Sequence, residues 1–279
     1  MTRRWDGLVV DLRLRALAFP VVSAQPVFEV LDGRYVATEL ASGPWDRNAQ
    51  HGGAPAALLA RTFERLPSPA GVSLARLTYE FLRPVPIGPV EVRAEVTRTG
   101  RRLQLLDGSM LADGVEVVRA RALRILAADS GRAYSEEIAP PRGPKEGRTG
   151  ELPGLHRPRF ATDAIEIRFV AGAFGGGPAT AWFRLTRPLV GDEKPSALQC
   201  LAAAGDFGAG LSGTLSRDDY LFINPDLTLY VEREPVGEWI CLESQTRITA
   251  DGIGVAESVL YDERSRVGRA TQALLIAPR

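Results

Sequence analysis

The sequence predicts an α+β protein in which one unit, a buried helix followed by several antiparallel strands, occurs twice in tandem. Three observations support this fold class. The chain has 279 residues, which is too long for one small core. A segment rich in Pro, Gly and charged residues, from 129 to 159, divides it into two similar lengths. Those two lengths share a weak internal repeat, which favours two tandem helix-wrapped antiparallel sheets.

The repeat is clearest in one strand-like segment of each half. The stretch LTYEFLRPVPIG at residues 77–88 aligns with LTLYVEREPVG at residues 227–237. Thr78 then matches Thr228, with a separation of 150 positions. A shared order and a shared offset favour duplication over chance similarity. We therefore expect an N-terminal domain at 1–127, a linker at 128–159 and a C-terminal domain at 160–279.

Each half repeats the same order of elements. A helix-like segment comes first, PAALLARTFER from Pro55 and PSALQCLAAAGDF from Pro195. Pro suits the first helical position, where its missing N–H is not needed. Both segments are apolar nearly all round, which predicts buried helices. Alternating strand-like runs follow, with Asp-Gly turns at 113–114 and 251–252, so each half should wrap a curved sheet around its helix.

Composition and charge exclude several classes of protein. Lys+Arg and Asp+Glu both number 34, and the absence of a basic excess or stripe argues against nucleic-acid binding. No apolar run reaches the roughly 18 residues of a membrane span. Charged residues interrupt the N-terminal apolar run, so it does not resemble a signal peptide and we expect a cytoplasmic protein. Cys200 and Cys241 lack metal-ligand spacing and should be reduced and buried.

Two glycine motifs have alternative interpretations. GAGLSG at 208–213 follows a helix-like stretch rather than a strand, which disfavours dinucleotide binding. The His51-Gly52-Gly53 run could form the oxyanion hole of a serine hydrolase, but the chain has no G-x-S-x-G element. The simpler interpretation is a tight turn into a buried helix. The N–H groups at such a helix start can still bind a carbonyl oxygen or a phosphate.

Taken together, several motifs resemble a known family. HGGAPAALLAR and YEFLRP in the first half, and AAAGDFGAG, INPDLTLYVER and GRATQALLI in the second, are similar to the acyl-CoA thioesterases with a double hotdog fold, the type II and thioesterase-like branch. The similarity runs from about residue 28 to 276. It implies an α+β double hotdog that hydrolyses a fatty acyl-CoA to the free acid and CoA.

The resemblance implies one catalytic set, in which Asp206, Asn224 and Gln272 hold the attacking water. Asn224 departs from the family, which has a hydroxyl residue there, although its amide can still orient water. The residues themselves support two of these positions. Gln272 shares an otherwise apolar strand face and needs hydrogen bonds. Asp206 ends an apolar helix, where a carboxylate opposes the helix dipole.

The repeat predicts a single site per chain. Counterparts of the catalytic set in the first half are apolar or basic: Leu66 for Asp206, counted from the helix prolines, and Leu74 for Asn224. Arg76 is the counterpart of Asp226 in the repeat, and the first-half strand has no Gln. We therefore expect the first half to contribute structure and substrate surface, with Gly52 and Gly53 at a helix start that stabilises the oxyanion.

Two other functions remain open at this point. The chain could be a non-catalytic acyl-CoA or lipid-binding double hotdog protein in which Asn224 has abolished turnover. It could also be a hotdog hydratase, although such enzymes pair an Asp with a His and no His lies near Asp206 in a matching motif. No metal or redox cofactor is implied. The free sheet edges and the outer face predict a homodimer or higher homo-oligomer.

Overall fold

The computed structural model describes residues 24–127, 131, 137–150, 152 and 159–279. It contains three α-helices and fourteen strands within these ranges. The helices are α1 (Gly53–Glu64), α2 (Ala197–Gly205) and α3 (Gly208–Ser212). The strands are β1 (Phe28–Leu31), β2 (Arg34–Ala37), β3 (Val72–Phe81), β4 (Gly88–Thr99), β5 (Leu103–Ala112), β6 (Val115–Leu126), β7 (Arg148–Thr149), β8 (Ile165–Ala171), β9 (Ala179–Leu185), β10 (Tyr220–Ile223), β11 (Asp226–Val231), β12 (Trp239–Ile248), β13 (Ile253–Tyr261) and β14 (Arg266–Pro278).

The strands form one sheet made of two similar halves. Its order is β1-β2-β4-β5-β6-β3-β11-β14-β13-β12-β9-β8-β7, and β10 pairs with β14 beyond the end of β11. Read outward from the centre, β3-β6-β5-β4-β2 in the first half mirrors β11-β14-β13-β12-β9 in the second. The predicted α+β double hotdog, with two helix-wrapped antiparallel sheets in tandem, is confirmed by this topology.

The two halves join through an antiparallel pair of equivalent strands, β3 and β11. Thr78 lies opposite Thr228 in the register, and their hydroxyl oxygens are 3.4 Å apart. These are the residues that the repeat places 150 positions apart. The local twofold relation of the two halves therefore passes between the two threonines.

Both long helices lie on the same side of the sheet and pack antiparallel against each other. A Cβ atom on Gly53, at the start of α1, would lie 2.5 Å from the carbonyl oxygen of Ala203 near the end of α2. At the other end, the Ser196 hydroxyl donates to Glu64 Oε1 at 2.7 Å. Both helices are buried on nearly every side, as their apolar composition predicts.

Both helices begin at positions other than the prolines. The first helix starts at Gly53, two residues before Pro55, so Pro55 still falls in the first turn, where its missing N–H removes no helical hydrogen bond. The second starts at Ala197, and Pro195 lies outside it. Ser196 caps this helix instead, because its hydroxyl accepts from the N–H of Gln199 at 3.1 Å.

The far end of α1 is held by buried arginines. Arg124 is 5% exposed, and it donates to the Phe63 carbonyl at 2.5 Å and to Gln104 Oε1 at 2.8 Å. A cation at this end offsets the negative end of the helix dipole. Arg61 forms a two-pronged ion pair with Glu193 and holds the pKa of that carboxyl below its usual range. These contacts fix α1 against the segment that leads into α2.

The described part of the predicted linker lies along the second half of the sheet. The short strand β7 pairs with the edge strand β8, and the Trp182 indole donates to the carbonyl of Arg142 at 2.7 Å. The domain boundaries at 127 and 160 stay a prediction.

The cysteines are reduced and buried, as the sequence predicts. Both Cys200 and Cys241 are free and buried, and burial raises the pKa of the Cys200 thiol to about 12. Within the described residues, no helix combines the length and apolar character that a membrane crossing requires. The cytoplasmic location stays a prediction.

Candidate active site

A cavity of about 360 Å³ opens between the two halves beside the end of α2. Its wall is rich in aromatic side chains, namely Trp45, Phe81, Phe174, Phe207 and Phe222. Asp206, Asn224, His51 and Gly52 also line it. The cavity thus combines an apolar wall with a few polar groups, which is the usual character of a small-molecule site.

Asp206 is the buried carboxylate of this cavity. It is 7% exposed and occupies the C-cap position of α2. Asn224 Nδ2 donates to its Oδ1 at 2.7 Å, and Gln272 Nε2 donates to the same oxygen at 3.1 Å. The structure thus brings together the three predicted catalytic residues. The two amide donors both bind Oδ1, which leaves Oδ2 for other contacts.

Both polar atoms of the Gln272 side chain form hydrogen bonds within the protein. One amide hydrogen goes to Asp206 Oδ1 and the other to the Asp206 carbonyl oxygen at 3.2 Å. Its Oε1 accepts from the backbone N–H of Ala209 at 3.0 Å. The side chain is 1% exposed on an apolar strand face, as predicted. With both donors occupied, Gln272 holds Asp206 in place and has no N–H left for water.

Asn224 lies at a break in the sheet. It follows β10 and precedes β11, and Pro225 separates the two strands. The break interrupts the alternation of side chains, so Asn224 and Asp226 do not share a face of the sheet. Asn224 points to Asp206, whereas Asp226 accepts from the N–H of Ala273 on the opposite face. Both amide hydrogens of Asn224 are used, the second on the Asp226 carbonyl at 3.3 Å, so its Oδ1 remains available as an acceptor.

His51 is the functional residue that the sequence analysis missed. Its Nδ1 lies 3.0 Å from Asp206 Oδ2. Its ring stacks on Phe207 at 4.4 Å between centroids and lies 5.4 Å from the ring of Phe160. No sequence motif links a His to Asp206, but the fold brings His51 into direct contact with it. The His-Gly-Gly run was visible in the sequence, but its carboxylate partner belongs to the other half of the chain.

The proton on His51 can be assigned from its two neighbours. The backbone nitrogen of Gly53 also lies 3.1 Å from Nδ1, and a hydrogen bond from this N–H would require a lone pair on Nδ1. A proton is required for an attractive contact with Asp206 Oδ2. We assign the proton to Nδ1, because an ionised carboxylate facing a second acceptor at 3.0 Å would be repelled, and a charge-assisted hydrogen bond is the stronger of the two.

The two glycines serve close approach rather than a special backbone conformation. Gly52 has φ −56° and ψ −24°, which any residue can adopt, so the expected tight turn does not explain it. A Cβ on Gly52 would lie 2.7 Å from Asp206 Oδ2, and one on Gly53 would lie 2.5 Å from the carbonyl of Ala203. Both glycines are therefore needed for α1 to begin against the end of α2.

The start of α1 offers a donor to the cavity. The Ala54 N–H donates to the His51 carbonyl oxygen at 2.9 Å, whereas the Gly53 N–H faces the protonated Nδ1 of His51 and does not donate to it. None of the described residues accepts from the Gly52 N–H. Gly52 lines the cavity at the positive end of the helix dipole, where a carbonyl oxygen that gains negative charge is stabilised.

The twofold-related position in the first half has no comparable arrangement. Glu64, rather than Leu66, faces the start of the opposite helix there, and it accepts from Ser196 and from Gln199, both at 2.7 Å. By the 150-residue offset, Ala122 stands where the second half has Gln272. These replacements favour one site per chain. In the part of the chain that the structure describes, no three His, Cys, Asp or Glu side chains cluster as a metal site would need.

Comparison with known families gives matches over both halves. A sequence model for the acyl-CoA thioesterase C-terminal domain matches residues 136–276, and one for the acyl-CoA thioesterase N-terminal domain matches residues 41–125. No curated protein sequence matches this chain.

Solved structures share the fold at low sequence identity. A conserved hot dog fold protein of unknown function from Alicyclobacillus acidocaldarius has a TM-score of 0.70 and 17% identity, covering 88% of this chain and 94% of its own. A proposed thioesterase from Novosphingobium aromaticivorans has a TM-score of 0.69 and 22% identity, covering 90% and 99%. The acyl-CoA thioesterase II TesB2 of Mycobacterium marinum has a TM-score of 0.62 and 14% identity, covering 82% and 91%.

Replacing Gln272 by Met tests the hydrogen bonds of its side chain through the free energy of unfolding, without an activity assay. The change leaves the Ala209 N–H without its acceptor and removes two donors from Asp206. We expect the free energy of unfolding to fall by about 1–3 kcal/mol in denaturant titration. Gln245→Met, at an exposed position of β12, is the control and should stay within about 0.5 kcal/mol. Equal losses in the two variants would contradict the assigned bonds.

Proposed function

The chain belongs to the acyl-CoA thioesterase family and is a thioester hydrolase, and from this premise we propose that it hydrolyses a fatty acyl-CoA through a water held at Asp206. The observation that carries the proposal is the buried carboxylate of Asp206, which lines the cavity and is fixed by the amides of Asn224 and Gln272 and by His51. Such a group is placed to take a proton from water where bulk solvent is largely excluded.

The proposed first step is attack of water on the thioester carbon. Asp206 Oδ2 and the free Oδ1 of Asn224 accept the two hydrogens of the water, and Asp206 takes one as the C–O bond forms. The carbonyl oxygen becomes an oxyanion, which the Gly52 N–H and the α1 dipole stabilise. The tetrahedral intermediate then collapses, the C–S bond breaks, and the thiolate of CoA takes the proton from Asp206. The products are the free acid and CoA.

Gln272 and His51 act through Asp206 in this proposal and are positioning residues. The amide of Gln272 is occupied by Asp206, and the Nδ1 proton of His51 fixes Oδ2. The rings of Phe160 and Phe207 hold His51 in one orientation. Asn224 then has two tasks, because its Nδ2 restrains Asp206 and its Oδ1 orients the water.

One observation favours a second candidate function, hydration of a 2-enoyl thioester. An Asp beside a His can supply a base for water and an acid for the adjacent carbon. The contact of Asp206 with His51 provides such a pair. Thiol release from a saturated acyl-CoA supports hydrolysis, whereas loss of the enoyl absorbance without thiol release supports hydration. A chain-length series of acyl-CoAs assayed for free thiol gives the preferred acyl group.

Asp206→Asn tests the proposed base, because it keeps the shape and removes the charge. We expect kcat for thiol release to fall at least about 100-fold while the variant stays folded. Asp226→Asn is a matched control, since Asp226 is a half-buried carboxylate whose pKa is raised by burial and which lies on the opposite face of the sheet. Its kcat should stay within a few-fold. Full turnover by Asp206→Asn would remove Asp206 from the mechanism.

A pair of His51 variants separates stacking from hydrogen bonding. His51→Phe keeps a ring between Phe160 and Phe207 but loses the donor to Asp206, and we expect kcat to fall about 10-fold or more at similar KM. His51→Asn loses the ring but keeps a donor near the position of Nδ1, so it should retain more activity. The idea fails if His51→Phe is fully active or if the order of the two variants is reversed.

We further propose that the protein forms a homodimer through the helix-free face of its sheet. A cross-strand row of apolar side chains is exposed there: Leu275 is 55% exposed and pairs with Ile253, 62% exposed, on one side and with Ile223, 37% exposed, on the other. We expect a second copy of the chain to cover this apolar row, because the net charge of zero produces no long-range repulsion between copies.

Light scattering at micromolar concentration tests the dimer. We expect a mass near twice 30.2 kDa and a buried area on the order of 1,600 Å² or more. Leu275→Glu should shift the mass to that of one chain without lowering the melting temperature, because Leu275 lies outside the core. A wild-type mass of 30 kDa that does not change on dilution would disprove the proposal.

A further inference from the structure

Arg217 has no role in the hydrolysis mechanism, yet its head group lines the cavity that contains Asp206. Its guanidinium carbon lies 4.9 Å from the centroid of Phe174 and 5.7 Å from that of Trp45. Phe222 meets Trp45 edge-on at 4.7 Å and supports that ring. The planar cation is thus held by aromatic rings, which leaves its N–H groups free to bind a planar anion.

The positive charge of Arg217 is not balanced within the described residues. None of them forms a hydrogen bond or ion pair with its side chain. Burial lowers the pKa of Arg217, and the nearby Arg159 lowers it further. Asp46 also lines the cavity, but its Oδ1 accepts from the N–H of Asn48. The N–H groups of this half-buried cation have no acceptor among the described residues, so they are available to an anion in the cavity.

A recess of about 20 Å³, which has room for about one water molecule, adjoins the cavity beside Arg217, so the anion itself would lie on the cavity side of this guanidinium. Arg217 and Arg159 both border the recess, together with Ser42, Pro44, Phe174 and His51. The recess therefore adjoins the reacting centre. The phosphates of CoA do not fit this position, because the whole pantetheine arm separates them from the thioester. The remaining part of the substrate that can carry a charge so close to the thioester is the acyl group.

We propose that the preferred thioester carries a carboxylate on its acyl group, which Arg217 binds while the aromatic rings enclose the carbon chain between the two functional ends. This inference rests on the proposed function and specifies its substrate class. Two parallel N–H donors of a guanidinium match the two oxygens of a carboxylate, and the adjacent charge of Arg159 strengthens the attraction. Acyl groups without the carboxylate leave the cation desolvated and unpaired.

Matched pairs of substrates test the inference. Thiol release is measured for ω-carboxyacyl-CoAs and for unsubstituted acyl-CoAs of the same chain length. We expect kcat/KM to be about 10- to 100-fold higher for the carboxyacyl member of the best pair. Arg217→Met keeps the apolar stem and removes the charge, and the ratio of the two kcat/KM values should fall to about one in this variant. Arg83→Met, which removes an exposed cation at the cavity mouth, should leave the preference unchanged.

Binding to the Asp206→Asn variant separates this inference from the proposed function. Calorimetric titration of that variant should give a Kd at least about 10-fold lower for the carboxyacyl-CoA than for its unsubstituted partner, and Arg217→Met in the same background should remove the difference. Equal Kd values, or a preference that survives Arg217→Met, would overturn the inference even if hydrolysis is established. Absence of thiol release from every acyl-CoA, together with the expected Kd difference, would instead refute the hydrolysis and leave the carboxylate site standing.

Discussion

The structure depends on how closely the start of α1 approaches the end of α2. Gly52 and Gly53 make this contact feasible, because any side chain at either position would overlap the second helix or its terminal carboxylate. The same contact places His51 and the Gly52 N–H beside Asp206. The same contact therefore packs the helices and assembles the site, so a substitution that separates the helices also moves His51 and Gly52 away from Asp206.

The second constraint is the central pairing of β3 with β11. It fixes the two halves in register at Thr78 and Thr228 and puts both helices on one side. Asn224 lies just beyond this pairing, where Pro225 interrupts the strand and redirects the side chain toward the helix. The sheet junction and the helix contact thus bring groups from both halves to a single carboxylate.

The sequence predicted the fold because the repeat, the buried helices and the Asp-Gly turns all agree on it. It also indicated Asp206 and Gln272, since a polar residue in an apolar element needs partners that the structure supplies. His51 could not be identified in the same way, because its partner is distant in the chain and becomes visible only when the helices are packed. The expected turn into α1 is present, since the Ala54 N–H donates to the His51 carbonyl, but the need for glycine there is a steric constraint from another helix that the sequence does not reveal. The orientation of Asn224 does not follow from strand alternation, because the break at Pro225 changes the phase of the strand.

The tandem arrangement has a consequence for how such a site can change over time. In a symmetric dimer of identical single-hotdog chains, every substitution appears in both sites at once, so none can be lost or specialised separately. A fused chain is free of that restriction. Ala122 and the Glu64–Ser196 contact illustrate this freedom. Where the end of α1 meets the start of α2, the side chains only connect the two helices, whereas the end of α2 has a buried carboxylate beside a cavity. Asymmetry of this kind lets one half diverge toward a particular ligand shape without a matching cost in the other.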